Sequence, residues 1–429
     1  MKLIAENIRS LGGKHEVPLA RLTLLVGENS SGKSTCLAAL SAIFSTAGFP
    51  ARPPFNEPPF DLGGYETIAT YRGGRYGRAK HFSLGYKFES PTDRLDAEVI
   101  GVYKNSAGQP VLSSVSARSK TVGMNLAFEG NHVNGKIIFP ASQDSPAVEI
   151  PIDNDVPEIA FTAPYSLAYV LFTLVGRREL SPNHTRALLT LAEQPSMFRT
   201  VAVAPVRTKP RRTYDPITDE FQPEGDHIPL VLARLLSSGT PSKQREDLRS
   251  ALVGFGESSG LFTEVKIRKL GQSASDPFQI LVASDARPFN LTDVGYGVSQ
   301  ALPVVVESTR SSKDQMLLLQ QPEVHLHPRA QAALGSFFAT LVAAEGKQLV
   351  VETHSDYLID RVRQEVAKGT LSPDLVSVLF FEQRHGETII HRLQIDPQGN
   401  IVDAPPTYRS FFLEEEQALL RRTEPTLFD

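Results

Sequence analysis

The chain is nearly devoid of cysteine. Cys36 stands alone among 429 residues, which excludes an internal disulfide and a cysteine-built zinc site. No run of about 18 uninterrupted apolar residues occurs, so a membrane-spanning helix is not expected. The opening stretch Met1–Ser10 has no long apolar segment, so a secretory leader is not expected and a cytoplasmic protein is. Basic charge is not in excess: 44 Lys and Arg stand against 48 Asp and Glu, a net charge of −4. Bulk charge therefore does not draw nucleic acid, and any such contact needs a local basic patch. Internal repeats, low-complexity tracts and long heptad runs are also missing. What is there is globular: 41% hydrophobic and 21% charged residues exclude whole-chain disorder. The length suits one large or two ordinary domains.

Lys2–Ile8 alternates apolar and polar residues and predicts a strand, Ser10–Gly13 a turn, and Leu22–Val26 a buried strand. Helical spacing follows over Ser34–Phe44, then a proline-dense loop over Pro50–Pro59. Six β-rich segments come next: His81–Glu89, Arg94–Tyr103, Val111–Ala117, Met124–Phe128, Gly135–Phe139 and Ala147–Ile152. Gly, Asn, Asp and Ser punctuate them, which predicts an antiparallel meander. Tyr165–Val175, Ser181–Leu191, Ile228–Leu236 and Ser242–Val253 predict helices, Thr200–Val206 a strand, and Phe262–Leu270 with Pro277–Ala283 paired strands.

From Leu291 onward the pattern alternates. Helix Val298–Glu307, strand Met316–Leu319, helix Pro328–Ala343, strand Gln348–Val351 and helix Asp356–Lys368 predict α/β wiring with a parallel sheet. A hairpin, Val376–Glu382 with Thr388–Gln394, and a last helix, Tyr408–Leu420, complete the reading. The α/β pieces at the two ends are expected to share one sheet, with the middle inserted.

Gly27-Glu28-Asn29-Ser30-Ser31-Gly32-Lys33-Ser34 fits G-x-x-x-x-G-K-[ST] between an apolar strand and a helix. Glycines let backbone N–H groups turn inward around phosphate oxygens, and the helix N-terminus adds positive potential. Lys33 would reach the terminal phosphates of ATP, the Ser34 hydroxyl would ligate Mg²⁺, and Thr35 adds a phosphate contact. Two apolar strands end in polar residues, Met316–Glu323 and Val350–Ser355. Glu323, His325 and His327 alternate in a way that suggests a metal site, but no cysteine helps them. Two basic clusters, Arg72–His81 and Lys209–Arg212, are candidate phosphate contacts or solvated faces.

With these motifs in view, the chain resembles the ABC-type ATPase heads of the RecF, SMC and OLD families, through Met1–Phe44 and Leu291–Leu358. The opening Asn7-Ile8-Arg9-Ser10 is similar to theirs. More narrowly, it resembles the stand-alone bacterial ABC-like AAA ATPases of defence loci. That resemblance rests on Pro205–Arg212, Leu291–Gln300, Gln321–Pro328 and Glu352-Thr353-His354-Ser355. The fold it implies is an α/β ABC-type P-loop head with a mixed sheet, an inserted antiparallel meander and a helical insertion. Residues 1–50 and 291–429 would form the core lobe, 51–160 the β subdomain, and 161–290 the insertion leading to a signature-like motif.

The resemblance also implies roles. Arg9, Gly27, Asn29, Ser30, Ser31, Gly32, Lys33, Ser34 and Thr35 would bind nucleotide, and Val294, Gly295, Gly297 and Ser299 would cap the partner subunit's ATP. Gln320 sits where such ATPases place the Walker B carboxylate and would, with Ser34, attend Mg²⁺; Gln321 sits at the catalytic glutamate. Glu323 and His354 complete the catalytic set, His354 as a switch sensing the γ-phosphate, and His325–Pro328 would be a D-loop.

The narrower family usually has Glu-Gln-Pro where this chain has Gln320-Gln321-Pro322. A glutamine holds no negative charge for Mg²⁺ and cannot act as a general base. Either a Glu→Gln exchange traps bound ATP, or a slow ATPase uses Glu323. Too little chain follows His354 for a Toprim domain like that of OLD-type nucleases. The resemblance implies an ATPase that forms a homodimer or higher oligomer and switches a companion effector, a nuclease or toxin, in anti-phage defence. The alternative is a RecF-like DNA-binding ATPase of DNA repair, with nucleic acid as partner; no membrane partner is implied.

Overall fold

The computed structural model describes residues 1–45, 48–89, 96–141, 146–156, 180–193, 199–215, 220–237, 242–273, 275–284, 287–410 and 417. The expected helix Tyr165–Val175 and most of Tyr408–Leu420 lie outside the described residues.

In chain order, β1 (Lys2–Ile8), β2 (Leu11–Pro18) and β3 (Leu22–Gly27) precede α1 (Lys33–Phe44) and the single turn α2 (Tyr65–Ile68). Next come β4 (Phe82–Phe88), β5 (Ala97–Ser106), β6 (Gln109–Ser119), β7 (Gly123–Glu129), β8 (His132–Phe139) and β9 (Val148–Asp155). The middle continues with α3 (Pro182–Glu193), β10 (Arg199–Val203), α4 (Ile228–Ser237), α5 (Lys243–Ser259), β11 (Glu264–Lys269), β12 (Phe278–Ala283) and β13 (Pro288–Asn290). The last part holds α6 (Tyr296–Arg310), β14 (Gln315–Gln320), α7 (Pro328–Glu345), β15 (Gln348–Glu352), α8 (Asp356–Ala367), β16 (Val376–Arg384), β17 (Glu387–Ile395) and β18 (Ile401–Val402).

The fold is mixed α/β. A seven-stranded sheet runs β10-β14-β15-β3-β16-β17-β18. Its first five strands are parallel and its last two antiparallel. The meander forms an eight-stranded antiparallel sheet, β2-β1-β4-β5-β6-β7-β8-β9, and β11-β12-β13 a small third one.

The expectation that both chain ends share one sheet holds for β3, which lies between β15 and β16. It does not hold for β1 and β2. They join the meander, with β1 paired antiparallel to β4 from Lys2↔Lys87 to Glu6↔Ser83, although residues 1–50 were grouped with the core from sequence. Ser10–Gly13 is also not a four-residue turn, since β2 already starts at Leu11. Alternation identifies a strand but not its neighbour, and the open edge of the meander takes the hairpin.

Successive side chains of the central strands face opposite layers. Leu25, Leu318, Val350 and Leu379 pack with α1 and the meander. Leu24, Leu317, Leu319, Leu349 and Val351 pack with α4 to α8. Helix α1, buried along nearly its whole length, is therefore a filling between two sheets, as expected of a helix apolar all round. Phe44 at its end meets Tyr86 of β4 at 5.5 Å between ring centroids. This burial anchors the helix that follows the glycine-rich loop Gly27–Gly32.

Candidate functional site

The loop between β3 and α1 takes its shape from glycine. Gly27 has φ +136°, and a Cβ there would stand 2.2 Å from the Phe381 carbonyl oxygen on β16. Ser30 (φ 62°) and Gly32 (φ 100°) complete the turn. A Cβ on Gly32 would meet Ser10 Oγ at 2.9 Å and Thr388 Oγ1 at 3.0 Å. Gly32 caps α1 without a side-chain hydrogen bond, which leaves the first-turn N–H groups available to an anion. From outside, Thr388 Oγ1 donates to the Ser31 carbonyl at 2.9 Å and Thr388 N to the Ser10 carbonyl at 2.8 Å. The β16–β17 hairpin thus braces the loop.

Lys33 is 3% exposed. Its Nζ donates to the carbonyls of Gly27 (3.0 Å) and Glu28 (2.5 Å). Burial pushes its pKa down, opposed by Glu352 and Glu28. The Ser34 hydroxyl lies 2.8 and 2.9 Å from the two carboxylate oxygens of Glu352.

The sequence reading put Gln320 opposite Ser34. The geometry puts Glu352, the last residue of β15, in that position. Strand β15 lies between β14 and β3, and register pairs Gln320 with Glu352. The strand carrying Gln320 is therefore one position further from the loop. The side chains of Gln320 and Gln321 hydrogen-bond the Glu352 carboxylate, and Gln321 N donates to the Glu352 carbonyl at 2.8 Å. Gln320 Oε1 is buried without a partner. Burial raises the Glu352 pKa, and bonds from Ser34 and the glutamines, with Lys33 nearby, oppose that rise.

Arg9, Ser10, Asn29, Ser30, Ser31, Gly32, Lys33, Ser34, Thr35, Gln321 and Glu352 line one cleft of about 400 Å³. Glu323 lies behind it, buried, with Oε1 accepting from His354 N at 2.7 Å; burial raises its pKa. His354 is exposed at the start of the turn into α8, its pKa lowered by burial and by Lys33. His327 caps α7, its ring nitrogen accepting from Ala330 N at 3.4 Å, and His325 packs edge-on against Tyr296 at 5.0 Å. Among the described residues no group of three His, Cys, Asp or Glu is arranged to hold a metal ion.

The signature-like residues are elsewhere. Val294 and Gly295 lead into α6, Gly297 approaches the His325 carbonyl, and Ser299 donates to the Tyr296 carbonyl at 2.7 Å. None of them lines the cleft. Arg207 connects the two regions. It is 3% exposed and donates to the carbonyls of Gln300 (3.2 Å), Gln321 (3.1 Å) and Gln320 (3.5 Å). Burial lowers its pKa to about 10, with Glu323 and Tyr296 opposing the drop.

Sequence reasoning overlooked Glu352 as a site group, although a carboxylate closing the apolar run Leu349–Val351 is itself a signal. Thr388 carried no such signal. The basic clusters are largely engaged by their own chain: Arg72 with Glu387, Arg78 with Glu66, Arg211 with Asp226 and Arg212 with Asp293.

A family model described as "AAA domain, putative AbiEii toxin, Type IV TA system" matches residues 183–360. No curated protein matches the chain. Among solved structures, the chain is similar to an SMC head bound to the C-winged helix domain of ScpA. That pair has 12% identity and a TM-score of 0.45, over 92% of this chain and 97% of that one. The SMC head domain from Thermotoga maritima gives 11% identity and a TM-score of 0.36, over 92% and 98%. The Pyrococcus furiosus Smc head with an extended coiled coil, bound to the C-terminal domain of ScpA, gives 10% and 0.41, over 97% and 98%. Among the described residues no helix is long and apolar enough to cross a membrane.

Proposed function

We propose that this chain binds and slowly hydrolyses ATP, dimerises around it, and acts as a molecular switch for a companion effector, a nuclease or toxin, in anti-phage defence. One observation carries the nucleotide reading. A glycine-shaped loop, an uncapped helix N-terminus, Lys33, and Ser34 facing a carboxylate all converge on one cleft. Lys33 moves from the loop carbonyls to the terminal phosphates, and the amides at the start of α1 take phosphate oxygens.

The oxygen donors also fit Mg²⁺. Ser34 Oγ and the Glu352 carboxylate are hard ligands, and Gln320 Oε1 is buried without a partner. Mg²⁺, when bound, offsets negative charge on the phosphates. Ser34 and the strand-end residues then hold and orient it.

The AAA match over 183–360 supports the ATPase class, and its description as part of a toxin–antitoxin system supports control of a partner protein. That the signature-like segment stays out of its own chain's cleft supports a two-fold dimer with composite sites. The alternative, a DNA-binding repair ATPase, is less favoured because the net charge is −4 and Arg72, Arg78, Arg211 and Arg212 each face an acid on the surface of the same chain.

Lys33→Ala should weaken ATP binding at least ~10-fold, about 1.4 kcal/mol. Calorimetry checks this, and unchanged affinity overturns the nucleotide reading. Gly297→Asp, a charge against the His325 carbonyl on the capping segment, should leave ATP binding intact and abolish ATP-dependent dimerisation in sedimentation velocity. Dimers that persist in the variant would argue against the composite site.

A further inference from the structure

We infer that Glu352, and not the strand end Gln320–Gln321, is the carboxylate of this site: the anionic group that receives the divalent cation of a metal–nucleotide complex. The inference rests on reading the cleft as an ATP site.

Three observations lead to it. First, Glu352 is the one acidic residue among the described residues lining the cleft. Second, it is 3% exposed and has no ion-pair partner among the described residues. A buried carboxylate without a counter-charge is costly. The nearest cation relieves it only in part: Lys33 acts on it through space but makes no ion pair with it, its Nζ donating to the Gly27 and Glu28 carbonyls. Third, its partners orient the group but carry no charge. The Ser34 hydroxyl has one proton for two oxygens that lie 2.9 and 2.8 Å away, and two glutamine side chains complete the set. A carboxylate is thus held beside the hydroxyl expected to ligate the metal.

The register puts the two strand ends side by side. Gln320 and Glu352 are direct neighbours on β14 and β15, so a charge lost from one strand end is supplied from the next. Gln320 then serves as a neutral donor that fixes the Glu352 rotamer.

The test measures how much Mg²⁺ strengthens ATP binding, by calorimetry with and without EDTA, in the parent and in Glu352→Gln. Glutamine keeps the size and a hydrogen bond to Ser34. The expected result is metal-free ATP binding at least as tight as in the parent, with the Mg²⁺ enhancement reduced ~10-fold or more. An enhancement equal to the parent's overturns the inference. So does loss of metal-free binding in a variant that melts normally, since Glu352 would then be a brace for the loop. If the parent binds no ATP under any condition, the nucleotide reading fails, and the inference with it. Should Glu352→Gln not fold, Glu352→Asp withdraws the carboxylate by one methylene. Its Mg²⁺ enhancement is expected to fall, and a full enhancement there overturns the inference equally.

Discussion

Gln320→Glu should raise the single-turnover rate of ATP hydrolysis by about 100-fold, equivalent to about 2.7 kcal/mol of barrier. The position ends a buried strand and its side chain touches Glu352. One carboxylate, Glu352, now faces Ser34, and under the proposed function it would also have to be the charge nearest the attacking water. A second one lets the two tasks separate, and a positioned proton acceptor typically contributes 10²–10⁴.

The gain has a cost in the absence of nucleotide. Two buried carboxylates side by side repel, so the variant without ligand should melt lower than the parent, and Mg²⁺ with ATP should stabilise it by more. The competing account gives catalysis to Glu323. Its carboxylate is buried and holds the His354 amide. Under that account Glu323→Gln abolishes an activity already present, and Gln320→Glu changes little. Rapid-quench hydrolysis of both variants, side by side, separates the two.

Arg207→Ala should destabilise the protein by about 3–5 kcal/mol, the range for removing one member of a buried charged network. That is a large part of the 5–15 kcal/mol typical of a folded protein. The guanidinium ties the Gln300 carbonyl on α6 to the Gln320 and Gln321 carbonyls at the end of β14. Its charge also offsets buried Glu323. Truncation strands the carbonyls and leaves Glu323 without that offset. Lysine should rescue poorly, because a single ammonium cannot span acceptors on two elements. Adding Glu323→Gln should recover part of the loss, so the double variant costs less than the sum of the singles. Urea midpoints of the four proteins measure this. A loss below about 1 kcal/mol would mean that water replaces the guanidinium at these carbonyls.

The glycine-rich loop between β3 and α1 was legible because its signals are local. Glycine spacing, the lysine and hydroxyl that follow, and the strand–helix context lie within about twenty residues, and each is set by its immediate neighbours in the chain. The meander and the alternating C-terminal elements were legible for the same reason, since periods of two and 3.6 mark burial on one face. The role of Glu352 was not legible in this way. Motif resemblance pointed to Gln320, whereas strand order decides that the Glu352 carboxylate is the one beside Ser34.

By itself, the sequence determined that a glycine-rich loop from Gly27 would lead into a helix, that apolar strands would end in Gln320–Glu323 and Glu352–Ser355, and that the antiparallel segments would be distinct from the α/β part. Only tertiary structure decided that β15 comes between β14 and β3, which brings Glu352 to Ser34. It also decided that β1 and β2 close the edge of the meander, that Thr388 braces the loop from the distant hairpin, and that Arg207 joins α6 to the strand end. The physical reason is common to all of these. Periodicity and motif spacing report how a segment meets its own surroundings, while pairing order and buried polar contacts depend on segments tens to hundreds of residues apart competing for the same edge, carbonyl or carboxylate.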